Sequence, residues 1–166
     1  MSRTIEGYGA AWTLDFGGDL ITQGAFKNTL AEWKRRKYPI PLIDMHDYST
    51  IRKVLGSLTD ANEDEEGLFC KFELADDIDG DAAFSKTKDG HITGLSIGYR
   101  AIRERDPGTE GRKLGIQRIL DGVELREISV VLWPMNDEAP ACAKRSTTTT
   151  GKSAGRNVAP LSGRAL

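Results

Sequence analysis

The chain contains only two histidines, His46 and His91, and that scarcity narrows where proton transfer could be organised. A serine hydroxyl is a poor nucleophile near neutral pH until a positioned base takes its proton. Imidazole suits the task because its unperturbed pKa of about 6.5 lies near working pH. His46 ends the run Pro39-Ile40-Pro41-Leu42-Ile43-Asp44-Met45-His46 and is flanked by Asp44 and Asp47. His91 follows Gly90 in an expected turn. By spacing alone, either can be an ordinary surface histidine.

Two further residues stand out. Gly94-Leu95-Ser96-Ile97-Gly98 sets a serine between apolar neighbours that point to the opposite face, with a glycine two residues away on each side. The glycines are expected to leave open space beside the hydroxyl, where a substrate backbone could approach. The run also matches Gly-x-Ser-x-Gly. A nucleophile elbow needs a strand–turn–helix context, however, and Tyr99 to Ile102 continue a strand pattern. A strand serine bonded to a neighbouring backbone is the competing reading. Glu127 shares a face with Val123, Leu125 and Val131, where an acid is costly unless paired or hydrogen-bonded. A histidine N–H is one partner, and the carboxylate would also orient and stabilise the imidazolium. A salt bridge to Arg126 or Arg100 is the other. Both stay open.

These residues need elements to hold them. Thr4 to Trp12 can start a strand, and Asp15-Phe16-Gly17-Gly18-Asp19 reads as a turn. Phe26, Leu30 and Trp33 fall at i, i+4 and i+7, the apolar stripe of a helix that ends before Pro39. Prolines 39 and 41 exclude a helix next, so an extended edge segment is expected to deliver His46. Lys53 to Thr59 and Leu68 to Leu74 read as strands joined by an acidic, solvated loop, Asp60 to Gly67. Leu68, Cys70, Phe72 and Leu74 alternate strictly, which marks a half-buried strand. Asp76 to Lys88 suggests a short helix stopped by Gly90. Thr93 to Ile102 forms a strand, followed by a polar loop from Arg103 to Gly111. Gly115 to Leu120 and Val123 to Leu132 suggest a final hairpin turning at Asp121-Gly122. The sum is six or seven short strands and two helices in one α+β domain over residues 1–143. Residues 144–166 are small, polar and basic, too poor in apolar surface to offset the entropy of ordering them, and read as a flexible tail.

With 166 residues, 39% hydrophobic and 29% charged, the composition is that of an ordinary globular domain. A formal net charge of −2 offers no footprint for nucleic acid or an anionic membrane surface. No apolar run approaches the roughly 20 residues that span a bilayer. The two cysteines, Cys70 and Cys142, form no CxxC and follow no export signal, so free thiols in a reducing cytoplasm are expected. Two separated histidines and two cysteines give no metal-ligand spacing, and no cofactor is expected.

Four segments, in this order, resemble the prohead maturation proteases of tailed double-stranded DNA phages, distant relatives of the herpesvirus assemblins. They are Gly18 to Phe26, Ile40 to His46, Gly94 to Tyr99, and Leu125 to Val131 with Pro134-Met135-Asn136. The resemblance implies a strand-rich antiparallel β-barrel surrounded by a few helices. It also implies a serine endopeptidase whose histidine, serine and acid are His46, Ser96 and Glu127. Assemblins use a second histidine placed after the serine; His91 precedes Ser96, so Glu127 fits the third position better. Such enzymes work in the bacterial host cytoplasm, inside the immature capsid. There they cleave the scaffold protein or the scaffolding segment of the major capsid protein, and usually themselves. The implied partners are therefore those two substrates and the portal-bearing prohead, and a homodimer is compatible with the family. Self-cleavage is expected within or just before residues 144–166. One rival reading is an inactive capsid assembly or scaffold protein that retains the fold; another is a hydrolase with different substrates, such as an esterase.

Overall fold

The computed structural model describes residues 2–36, 38–136 and 141–146. Its strands are β1 (Ser2–Ala11), β2 (Asp19–Ile21), β3 (Pro41–Asp44), β4 (Val54–Glu63), β5 (Gly67–Leu74), β6 (Gly94–Arg105), β7 (Arg118–Val131) and β8 (Ala141–Ser146). Helices α1 (Lys27–Arg36), α2 (Ile78–Lys88) and the single-turn-sized α3 (Gly108–Lys113) lie between them. All eight strands join one sheet, ordered β2-β7-β3-β4-β5-β1-β8, with β6 along the other edge of β7. The pairings are antiparallel apart from those of β7 with β2 and β3, which are parallel. Long stretches of chain separate these partners, so nothing local forces an antiparallel return.

The sheet curls until its ends meet. A Cβ built on Gly9 of β1 would lie 3.2 Å from Ile97 Cγ2 of β6, and the Ala141 N–H donates to the Thr93 carbonyl at 3.0 Å. The result is the strand-rich, partly closed barrel with few helices that the resemblance implied. Its core lies inside the curl, where Ile5, Leu68, Phe72, Leu95, Leu120 and Ile128 are buried. The alternation in β5 holds residue by residue: Leu68, Cys70, Phe72 and Leu74 are all buried. Helix α1 buries Leu30 beside Phe26 and half-buries Trp33. Its last turn carries Lys34, Arg35 and Arg36, where cations complement the helix dipole.

Several expectations are corrected. The run to His46 is an interior strand, because β3 pairs with both β4 and β7. Pro41 merely opens that strand and Pro39 precedes it, so neither removes a ladder bond from its middle. No hairpin turns at Asp121-Gly122; β7 runs unbroken for 14 residues. The local irregularity falls instead on register shifts of β6, where Gly122 faces Arg103. The acidic stretch is half strand: β4 continues to Glu63, and Ala61 within it is fully buried. The loop expected from Arg103 to Gly111 is strand as far as Arg105 and enters α3 at Gly108. Strand β8 pairs with β1 as far as Ser146, so the boundary expected at 143 falls inside it. The rest of the expected tail, 147–166, lies outside the described residues.

Candidate active site

On β6 and β7, Ser96 faces Ser129 and Gly98 faces Glu127. Directly opposed residues of an antiparallel pair project to the same face, so this register alone brings the serine and the acid together. His46 arrives from the other side of β7. Strand β3 ends with Asp44 beside Val130. Met45 and His46 then reverse the chain in the left-handed region, at φ 52° and 57°. For non-glycine residues that conformation costs of order 1–3 kcal/mol each. Three hydrogen bonds hold it: Met45 N–H to the Val130 carbonyl (3.2 Å), His46 N–H to Ser129 Oγ (2.9 Å) and Asp47 N–H to the Asp44 carbonyl (2.9 Å).

The bend aims the imidazole along the face of β6 and β7. His46 Nδ1 lies 2.6 Å from Glu127 Oε1, and Nε2 lies 3.0 Å from Ser96 Oγ. An ionised carboxylate only accepts, so Nδ1 carries the proton and Nε2 presents its lone pair to the Ser96 hydroxyl. The Glu127 side chain is 2% exposed, whereas that of His46 is 38% exposed. The carboxylate is sequestered, and the imidazole remains open to solvent. Tyr48 donates to Glu127 Oε1 at 3.2 Å and Ser129 donates to Oε2 at 2.9 Å. Burial first, and then the neighbouring Glu127 charge, push the Tyr48 phenol up from its ordinary pKa. Three donors thus solvate the buried carboxylate. The arginines weighed as its partners both turn to Glu124, Arg100 at 2.6 Å and Arg126 at 3.6 Å.

His91 stands apart from this group. It is exposed after α2, and its N–H donates to the Lys86 carbonyl. The flanking glycines also have a different use from the one expected. A Cβ at Gly94 would lie 2.6 Å from the Pro134 ring, and one at Gly98 would overlap the Glu127 carboxylate. They make room for the protein's own side chains, and not for a substrate backbone.

Space for a ligand lies instead in a cleft of about 190 Å³ that includes Ser96 in its lining. Apolar walls from Ala10, Leu95 and Ile97 are joined by Asp15, Asp19 and Tyr99. Arg118 bonds both oxygens of Asp19 at 2.7 Å, and the Tyr99 hydroxyl adds a bond at 2.6 Å. The guanidinium therefore holds the Asp19 carboxyl below its ordinary pKa.

Ser129 and Tyr48 are the residues that the sequence reading missed. Ser129 was detectable in principle, since it lies two positions from Glu127 and so on the same face of the strand. Tyr48 reaches Glu127 from beyond the bend, which no periodicity encodes. Among the described residues, no three His, Cys, Asp or Glu side chains could together hold a metal ion, and no helix is long and apolar enough to cross a membrane.

The curled sheet thus holds a serine, an imidazole and a carboxylate in a hydrogen-bonded line, the kind of arrangement in which a base can activate a hydroxyl. Residues 1–153 match the caudovirus prohead serine protease family, and the chain belongs to that family. It is 29% identical over 145 residues to the prohead protease of Enterobacteria phage HK97, covering 86% of this chain and 60% of that protein. It thus spans well under two thirds of that relative's length. Among solved structures it resembles the varicella-zoster virus protease, with a TM-score of 0.54 at 12% identity over 88% of this chain and 65% of the other. The protease of KSHV in complex with a hexapeptide phosphonate inhibitor gives a TM-score of 0.51 at 10% identity, over 88% and 66%. At such identities the shared property is the fold.

Proposed function

We propose that the protein is a serine endopeptidase of phage prohead maturation, with Ser96 as nucleophile, His46 as base and Glu127 as the group that orients the base. One observation carries this reading: the continuous relay from Glu127 through His46 to Ser96, at 2.6 and 3.0 Å. His46 Nε2 removes the Ser96 proton as Oγ bonds to the scissile carbonyl carbon. The tetrahedral adduct collapses when His46 returns that proton to the leaving amine nitrogen. Water, deprotonated by the same imidazole, then hydrolyses the acyl-serine. Such acid–base help typically contributes ~10²–10⁴-fold.

The substrates are the scaffold protein or the scaffolding segment of the capsid protein, met inside the immature capsid. Family membership and the name of the phage relative support this. Self-cleavage is expected within or just before residues 144–166, which are rich in Ser, Thr, Gly and basic side chains, since proteases cut such polar segments readily.

Co-expression with the capsid protein tests the reading. Ser96→Ala is expected to remove nearly all processing, and intact mass should show the tail shortened in the parent but whole in the variant. Labelling of Ser96 by a fluorophosphonate would separate an enzyme from an inactive assembly protein with the same fold. Equal processing by the parent and Ser96→Ala would end the proposal.

A further inference from the structure

The cleft beside Ser96 is chemically uneven in a way that the proposed reaction does not use. Its walls are apolar, from Ala10, Ile21, Leu95 and Ile97, and among the described residues it is lined by two carboxylates and no basic side chain. Asp19 is already neutralised by Arg118. Asp15 is not. Its Oδ1 accepts the Asp19 N–H at 2.8 Å, and among the described residues no cation pairs with it. At about 190 Å³ the space is smaller than the ~300–1,000 Å³ of typical small-molecule pockets and suits one side chain.

A purely apolar side chain filling this cleft would strip water from the Asp15 carboxylate without replacing it, which is costly. An acidic side chain would be repelled. A long aliphatic stem ending in a cation satisfies both surfaces, because lysine and arginine lay their methylenes on apolar walls while the charged head seeks a partner. We propose that this cleft is the specificity pocket, that it takes a lysine or arginine side chain near the scissile bond, and that Asp15 binds the cationic head. This inference rests on Ser96 being the nucleophile.

The test is digestion of a peptide library by the full chain, with new termini read by mass spectrometry. Lysine or arginine should be enriched at one fixed position from the cut. On matched peptides the parent should prefer lysine over norleucine at that position by about 10–100-fold in kcat/KM, the range for a hydrogen bond to a charged group. Asp15→Asn should bring that ratio towards one, since its amide oxygen can still accept the Asp19 N–H and keep the turn. Asp15→Lys should turn the preference towards glutamate. Ser96-dependent cleavage without basic enrichment, or a lysine preference that survives in Asp15→Asn, would overturn the pocket assignment and leave the protease reading intact. No Ser96-dependent cleavage of any peptide would remove both.

Discussion

The Ser129 hydroxyl, fully buried, accepts the His46 amide and donates to Glu127, so one small group joins the backbone of the proposed base to the side chain that orients it. Ser129→Ala would leave the His46 N–H unpaired in its left-handed bend and remove one of three donors from a buried carboxylate. Loss of about 1–3 kcal/mol of stability is expected, the usual cost of an orphaned buried polar group. Turnover should fall with KM nearly unchanged, because Ser129 does not line the cleft. Steady-state kinetics beside denaturant unfolding would separate the two effects. Glu127→Gln should lower kcat by about 10²–10⁴-fold and still leave more activity than Ser96→Ala, since a misoriented base is better than an absent nucleophile. Side-chain chemistry made Glu127 conspicuous as an acid on an apolar face, whereas its grouping with His46 and Ser96 came from the resemblance, and nothing marked Ser129 apart from any other strand serine.

Among the elements, the acidic stretch between β4 and β5 shows how strand context redirects charge. Glu63 ends β4 and accepts the N–H groups of Gly24 and Phe26, at 2.9 and 2.8 Å, in the turn that enters α1. Asp64 accepts the Tyr8 hydroxyl and the amides of Glu66 and Gly67. A run of acids that reads as a solvated loop is therefore a clamp between the β4–β5 turn, β1 and α1. Glu63→Ala should destabilise the fold by roughly 1–2 kcal/mol, seen as a fall in Tm of about 2–8 °C. Glu63→Gln, which keeps one acceptor oxygen, should lose less. An unchanged Tm in Glu63→Ala would show that water replaces the carboxylate at no cost. The unbroken β7 belongs to the same scale. Asp-Gly favours a two-residue hairpin locally, yet here Asp121 bonds Thr22 and Arg105, and the strand continues along β6.

For the molecule as a whole, Asp19, Tyr99 and Arg118 tie β2, β6 and the start of β7 together where the sheet curls over the cleft. Because Arg118 holds the Asp19 carboxyl below its ordinary pKa of 3.8, the unfolded chain binds the proton more tightly than the folded one. The resulting stabilisation is present above that value and is lost as pH falls through the lowered one. Asp19→Asn should therefore cost stability at neutral pH, by about 1–3 kcal/mol. It should also flatten the decline of Tm below pH 4. Parallel acid profiles of Tm for parent and variant would refute the assignment. The thiols report on the same global transition. Cys70 is fully buried and its pKa is pushed up by that burial, while Cys142 is exposed. One thiol should react with a soluble reagent in the native state and the second only on unfolding.

Local pattern was enough for the β5 alternation, the apolar stripe of α1, the stop of α2 at Gly90 and the need of Glu127 for a partner. Each depends on period, on the special φ of glycine, or on the cost of burying charge, and neighbours along the chain decide all of these. The parallel partners of β7, the interior position of β3 and the occupation of the Gly94 and Gly98 gaps by Pro134 and Glu127 depend on contacts between residues far apart in sequence. So does the meeting of an imidazole from one strand end with a hydroxyl two strands away. Only the register of β6 on β7 and the left-handed bend after β3 bring those groups within bonding distance, because no local preference specifies which distant strand a given edge will pair with.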